Sequence, residues 1–197
     1  MTDESTRIWI EVNGTIYFDE NNYLRETASD LPMLAESIEA LERLLSKAEG
    51  SERYAISGAL GNLYRIYGND DATQLAKAKQ YLNECLAYAT HQEDAIKEMV
   101  TLIRSGEVLK YGGEHGEALT LFDKALSLCR SGNFLVYQDF ALQHIGKCYL
   151  EMHEFECAEK NLQEALALRR QKGDEVLISS TEKALELVSK LKNRRNH

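Results

Sequence analysis

The 197-residue chain contains a single proline, Pro32, and 12 glycines. So few helix breakers argue against a low-complexity or disordered chain and leave room for long, uninterrupted helices. No run of 18 or more apolar residues occurs, so no membrane-spanning helix is expected. The opening residues, MTDESTRIW, carry acids and hydroxyls where a secretory leader needs cations and an apolar core, and the expected location is cytoplasmic. The four cysteines, Cys85, Cys129, Cys148 and Cys157, form no CxxC pair, and in a reducing compartment they read as free thiols. Catalytic signatures are missing too, with no GxxxxGK[ST], GxGxxG or HExxH. GGEHGEAL has three glycines, but it sits at a corner between helices with no strand before it, which argues against a phosphate cradle. No Ser/His/Asp or Cys/His arrangement stands out. Neither an enzyme nor a cofactor is expected.

Basic residues are also scarce, and the net charge is −9. Residues 1–52 hold 12 acids and 4 bases, whereas residues 169–197 hold 4 acids and 8 bases. Nucleic-acid binding needs lysines and arginines to neutralise phosphates, so an acidic body argues against it. The same charge suits a basic partner. The short basic end, KLKNRRNH, reads as a solvated helix terminus whose cations complement the helix dipole.

What the chain does have begins with RIWIEV-NG-TIYFD. Two runs rich in β-branched and aromatic residues flank Asn13-Gly14, a dipeptide that tolerates the positive φ of a two-residue hairpin turn. Strands are expected near 6–12 and 15–19, within a hairpin-and-linker region over 1–30. From residue 31 to 197 the pattern is helical. Ser29 and Asp30 are N-cap candidates, Pro32 stands in the first turn, and Gly50 is the expected end of that helix. Further helices are expected near 51–67, 72–90, 92–111, 115–131, 136–152, 155–172 and 175–193, with short connections that favour antiparallel neighbours. The breaks are Gly68-Asn69-Asp70, His91-Gln92, Gly112-Gly113, Ser131-Gly132-Asn133, His153-Glu154 and Gly173-Asp174. Acid pairs such as Asp70-Asp71, Glu93-Asp94 and Asp174-Glu175 fall at helix starts, where they complement the dipole.

Within the helical region the sequence repeats. Leu60-Gly61-x2-Tyr64, Ser105-Gly106-x2-Leu109 and Ile145-Gly146-x2-Tyr149 align as first helices. Ala78-x3-Leu82-x2-Cys85-Leu86, Ala118-x3-Phe122-x2-Ala125-Leu126 and Ala158-x3-Leu162-x2-Ala165-Leu166 align as second helices. The glycine-to-alanine separation is 12 residues in pairs two and three and 17 in pair one, which places an insertion over 70–75. Gly and Ala at these positions should let paired helices approach closely, with bulky neighbours such as Phe122, Leu162 and Tyr149 filling the adjoining grooves.

This pattern resembles a tetratricopeptide repeat array over roughly residues 51–193. The spacing of about 40 residues, and the absence of the family's first-helix Trp and closing Pro, resemble the longer repeats of kinesin light chains and bacterial peptide-sensing regulators. The resemblance implies an all-α, right-handed solenoid with a concave groove lined by first helices. It places Asn62, Arg65, Arg104, Glu107, Lys110, Tyr111, Gln143, His144 and Lys147 near that groove, with Lys183 on the last helix. Of a carboxylate clamp built from Lys and Asn, Asn62 matches one position and the lysine pattern is incomplete. The competing reading for each groove residue is an ordinary solvated polar face.

The i,i+4 pairs His144/Cys148 and His153/Cys157 would supply four zinc ligands if their helices met. Cysteines acting as small apolar fillers are the stronger reading, and no metal is expected. The functional expectation is a non-enzymatic protein- or peptide-binding scaffold or adaptor. The alternative is an acidic immunity or chaperone-like protein that neutralises a basic partner such as a toxin. A homodimer through the hairpin edge is a further expectation.

Overall fold

The structure is a computed structural model and describes residues 3–69, 71–132 and 134–195, with only the backbone of Leu135. Two of the expected breaks include Asp70 and Asn133, which lie outside the described residues, as do Asn196 and His197 of the basic end. Among the described residues the chain opens with α1 (Asp3–Asn13), followed by a hairpin of β1 (Ile16–Asp19) and β2 (Arg25–Ala28). The helices that follow are α2 (Leu31–Leu45), α3 (Gly50–Tyr67), α4 (Ala72–His91), α5 (Ala95–Tyr111) and α6 (His115–Ser131). They continue with α7 (Gln138–Glu151), α8 (Phe155–Lys172) and α9 (Glu175–Arg195). The helical repeat body and the small N-terminal hairpin are therefore both present.

The hairpin is displaced from its expected place. Residues 6–12 form part of α1 and not a strand. The apolar residues there satisfy two periods at once. A strand would put Ile8, Ile10 and Val12 on one face, whereas a helix groups Ser5, Ile8, Trp9 and Val12. The helical grouping prevails, because Val12 is fully buried against α2 while Ile10 is 65% exposed. Asn13 therefore ends a helix, and the Gly14 N–H donates to the Ile10 carbonyl. The true hairpin pairs β1 with β2, Phe18 opposite Glu26 and Asp19 opposite Arg25. Its turn is a 3-10 segment, Glu20–Asn22, capped by the Asp19 carboxylate on the Asn21 N–H and closed by Tyr23 and Leu24 at φ 52 and 59. No Asn-Gly signal marks that turn.

Local chemistry sets several helix starts. The carboxylates of Asp30, Asp94 and Asp174 accept the N–H groups of Met33, Lys97 and Leu177 at 2.8, 2.9 and 3.1 Å. Ser29 is not the cap. Gly50 does not end α2 but opens α3, with φ +53. At the α7–α8 corner His153 takes φ +59, the left-handed position that Gly113 fills at φ +80 between α5 and α6.

The repeat alignment corresponds to a packing contact. A Cβ at Gly61 would stand 2.7 Å from Leu82 Cγ and at Gly146 2.6 Å from Leu162 Cγ, and at Gly106 it would run into Phe122 Cε1. These are the three aligned second-helix positions, so pair one obeys the same rule as the other two. Its extra residues enter chiefly as a longer start to α4. Ala118, Ala125, Ala158 and Ala165 are fully buried, and Cys85 stands 1% exposed in the place of Ala125 and Ala165. The first helices α3, α5, α7 and α9 line up as neighbours, and α4, α6 and α8 form the layer behind them. Three apolar clusters run along the array, each shared by adjacent pairs, as a solenoid requires.

Gly146→Leu is expected to cost about 1–3 kcal/mol through overpacking against Leu162. That corresponds to a fall of about 2–4 °C in Tm per kcal/mol for a chain of this size. A thermal melt checks it, and an unchanged curve would remove the contact from the account.

Candidate functional site

The hairpin lies on the face made by α3, α5 and α7. Leu24 is its single buried residue, 5% exposed, and it enters the apolar cluster of Leu150, Phe155, Leu162 and Val188. Beside it, Tyr23 Oη is 3.1 Å from His153 Nε2. The neighbouring contacts are polar. Tyr111 Oη accepts the Glu26 N–H at 2.6 Å and donates to the Glu26 carbonyl at 3.2 Å. Lys147 Nζ donates to the Leu24 carbonyl at 2.6 Å. Because β2 turns its main-chain edge at Glu26 toward Tyr111, consecutive side chains leave on opposite sides. Arg25 reaches α7, where Nη2 meets Glu151 at 2.6 Å, and also donates to the Lys110 carbonyl at 3.1 Å. Glu26 instead accepts from Arg65 on α3.

These contacts belong to one buried charge network. Glu107 is 2.9 Å from Lys110 Nζ, 2.8 Å from His144 Nδ1 and 3.8 Å from Arg65 Nη1. Glu151 is 3.4 Å from Lys110 Nζ and 3.0 Å from His115 Nε2. The guanidinium groups of Arg25 and Arg65 stand over the Tyr111 ring, 4.8 and 4.5 Å from its centre. Burial pulls each carboxyl upward, but the surrounding cations win. Lys110, His144 and Arg65 hold Glu107 well below its ordinary range, Arg65 lowers Glu26, and Lys110 with Arg25 lowers Glu151.

The four cations Arg25, Arg65, Lys110 and Lys147 outnumber the three carboxylates Glu26, Glu107 and Glu151. Lys147 is the surplus one. Burial, followed by repulsion from Lys110, brings its ammonium down to about 8. Its contacts are the Leu24 carbonyl and the Phe18 ring, 4.7 Å away.

Two cavities flank the hairpin. One, of about 460 Å³, lies between Phe18 and Leu24 on one side and Gln143, Lys147, Val176 and Lys183 on the other. The second, of about 340 Å³, is walled by Trp9, Met99, Ile103, Tyr137 and Phe140, with Asn62, Arg65, Arg104, Glu107 and His144 among its polar groups. Gln143 Oε1 and Arg65 Nη1 are buried without a hydrogen-bond partner.

All ten residues picked out by spacing lie on this face. Asn62, Arg65, Arg104, Glu107 and His144 meet at the second cavity, and Gln143, Lys147 and Lys183 at the first. Lys110 and Tyr111 lie under β2. Six of them, Arg65, Glu107, Lys110, Tyr111, Gln143 and Lys147, are buried and so do not belong to an ordinary solvated face, whereas Asn62, Arg104 and His144 are half-buried and Lys183 is exposed. Asn62 Oδ1 is occupied by Arg65 at 2.5 Å. Sequence reading missed Arg25, Glu26, Glu151 and Trp9. Glu151 follows Lys147 by four residues on α7, a spacing that could have found it. Trp9 falls in the helical-period set of Ser5, Ile8 and Val12, and nothing periodic marks Arg25 or Glu26.

The two His/Cys pairs do not converge. His144 faces Glu107, the Cys148 thiol lies 3.6 Å from the His115 carbonyl, His153 faces Tyr23, and Cys157 is exposed. Burial pushes the Cys148 thiol up to about 12, away from metal-binding thiolate chemistry. Among the described residues no group of three or more His, Cys, Asp or Glu could hold a metal, and no helix is long and apolar enough to cross a membrane.

Residues 97–171, spanning α5 to α8, match the tetratricopeptide repeat family model. No curated protein matches the chain. Among solved structures, the chain is similar to the tetratricopeptide repeat sensor of a signal transduction ATPase with numerous domains from Pyrococcus horikoshii. The TM-score is 0.63 at 21% identity, over 81% of this chain and 24% of that one. It is similar to the apo form of RapI, with TM-score 0.65 and 19% identity over 98% of this chain and 65% of that one. Kinesin light chain repeats from Podospora anserina give TM-score 0.63 and 13% identity over 100% of this chain and 91% of that one. The chain thus spans about a quarter of the first protein and less than two thirds of the second. At these identities the likeness establishes the fold.

Two substitutions test the charge network. Glu151→Gln removes one side of a buried pair and is expected to cost about 3–5 kcal/mol at neutral pH. The Glu26, Glu107 and Glu151 carboxyls sit below their ordinary value of 4.5, so their stabilisation is present above it and lost as pH falls through the lowered values. The acid limb of a melting-temperature profile should therefore be shallower in the variant. Lys147 has the opposite sign, since below about 8 the folded chain must bury its charge. Lys147→Met is expected to gain up to about 3 kcal/mol of stability at pH 7 through relieved burial, and so to raise Tm. Its advantage should shrink as pH rises from about 8 toward 10.5, which parallel melts would measure.

Proposed function

We propose that this tetratricopeptide repeat protein is a non-enzymatic adaptor that binds a protein or peptide on the face of α3, α5, α7 and α9. In this reading residues 31–197 are the binding body, residues 1–30 are an appended segment, and the adaptor works in the cytoplasm. The supporting observation is the pair of cavities, about 460 and 340 Å³, that flank β2 on this face. They combine apolar walls with Gln143 Oε1, which has no hydrogen-bond partner among the described residues, and Arg65 Nη1, which stands 3.8 Å from Glu107, beyond hydrogen-bond reach. That is the composition expected where side chains anchor in pockets while polar groups fix register. The matching repeat model over 97–171 covers α5 and α7, two of the helices that carry the face. The likeness to a sensor domain supports a recognition role. Asn62, Arg65, Arg104, Glu107, Lys110, Tyr111, Gln143, His144, Lys147 and Lys183 would be the contacting groups.

A second reading rests on the exposed acids of α1 and α2, including Glu4, Glu11, Glu36 and Glu39, which would attract a basic partner such as a toxin. One experiment separates the two. A photocrosslinking residue is placed in the native cell at Phe140, in the second cavity, and in a parallel strain at Glu39. The proposal expects a discrete crosslinked partner from Phe140 only. A partner from Glu39 alone would transfer the function to the acidic surface, and none from either site would remove the adaptor reading.

A further inference from the structure

The hairpin occupies the face in the manner of a bound peptide. Its main chain is held at Leu24 by Lys147 and at Glu26 by Tyr111. Its side chains enter three different environments, with Leu24 in an apolar pocket, Arg25 on Glu151 and Glu26 on Arg65. Recognition of backbone at two points and of side chains in order is what a bound segment receives from a groove, here a left-handed turn at Leu24 that runs into a strand from Arg25.

The attachment is also shallow. Leu24 is the only buried residue in β1, the turn and β2, while Tyr17 and Phe18 are 51% and 49% exposed. The remaining contacts are two ion pairs and several hydrogen bonds, and the attraction of both is largely offset by desolvation. Firm anchors lie on either side, at Val12 in α1 and Leu34 in α2, both fully buried. Residues 13–15 and 29–30 can therefore hinge a local opening of 16–28 that leaves the helical array intact. Lifting the hairpin would also return water to Lys147, which burial holds at about 8.

We propose that Tyr23-Leu24-Arg25-Glu26 is an internal ligand of this face. The partner is then a protein segment that turns at an apolar residue and continues as a strand, presenting an apolar, a basic and an acidic side chain in that order. It takes over the Leu24 pocket, Glu151 and Arg65 as the hairpin lifts, and the flanking cavities accommodate its continuation. This rests on the adaptor reading and adds to it the partner's chemistry and a competition built into the chain. A partner must outcompete a tethered occupant, so its apparent affinity is reduced by the fraction of open molecules.

The test uses the full chain and a fluorescein-labelled peptide copying residues 16–29, followed by anisotropy. In the variant Arg25→Gln/Glu26→Gln the internal strand is weakened, and the probe should bind about ten-fold tighter than to the unaltered chain. A probe with its Arg and Glu exchanged should bind about ten-fold more weakly than the native order, as should the native probe when Arg65→Gln is added to the variant. Far-UV circular dichroism confirms that each variant is folded. Equal binding by both probe orders, or no binding to either chain, would overturn the proposal.

Hydrogen exchange on the unaltered chain gives a test that needs no variant. The amides of 16–28 should exchange through local opening, well before those of α5 and α7. Exchange of 16–28 only together with α5 and α7 would make the hairpin a fixed plug and overturn the proposal. A partner crosslinked at Phe140 while 16–28 stays protected would leave the adaptor reading standing and remove this one.

Discussion

Leu82, Phe122 and Leu162 fill the space that a side chain at Gly61, Gly106 or Gly146 would need, and the rest of the structure is arranged around those three contacts. Each lets the two helices of a pair come within the distance that a missing Cβ permits. Repeated along the chain, the contact keeps α3, α5, α7 and α9 side by side, with the second helices behind. The alanines and Cys85 one turn further on keep the approach close over the length of the pair. A face assembled this way is regular, so residues at equivalent positions of successive first helices come together on it.

That regularity carries an electrostatic consequence. Arg65, Lys110 and Lys147 arise from three successive first helices and converge within one region, where Glu107 and Glu151 cannot neutralise them all. The hairpin adds Arg25 and Glu26, which contribute no net charge but complete the pairing of Glu151 and Arg65. Buried charges left unpaired are costly, so the face favours an occupant that brings both signs in the right order. Lys147 carries the residual imbalance, held by a carbonyl and an aromatic ring, with Glu107 and Glu26 offsetting part of its burial from further away. The same groups make the face adhesive and make any single occupant replaceable, because ion pairs supply direction more than net stability.

Much of this was legible beforehand. The helices and the glycine and alanine register follow from spacing, since a repeat places like positions alike, and the ten groove candidates follow from the resemblance to a known repeat whose first helices line a groove. Asp30, Asp94 and Asp174 announce their helix starts because a cap is a contact within one turn. Residues 6–12 misled because Ile8, Ile10 and Val12 fit a strand as well as Ser5, Ile8, Trp9 and Val12 fit a helix. Only packing of Val12 on α2 chooses between them. Gly50 was read as a stop because glycine ends helices more often than it begins them.

The sequence by itself determined the helical repeat, the close-contact positions and the set of polar residues on one face, all of which depend on neighbours a fixed number of residues apart. The tertiary structure alone decided that the centre of the face, at Arg65, Glu107, Lys110, Tyr111, Gln143 and Lys147, is buried rather than solvated, and that Arg25 meets Glu151 and Glu26 meets Arg65. Those pairs are separated by 126 and 39 residues, and no local periodicity encodes a contact between a short hairpin and helices so far along the chain.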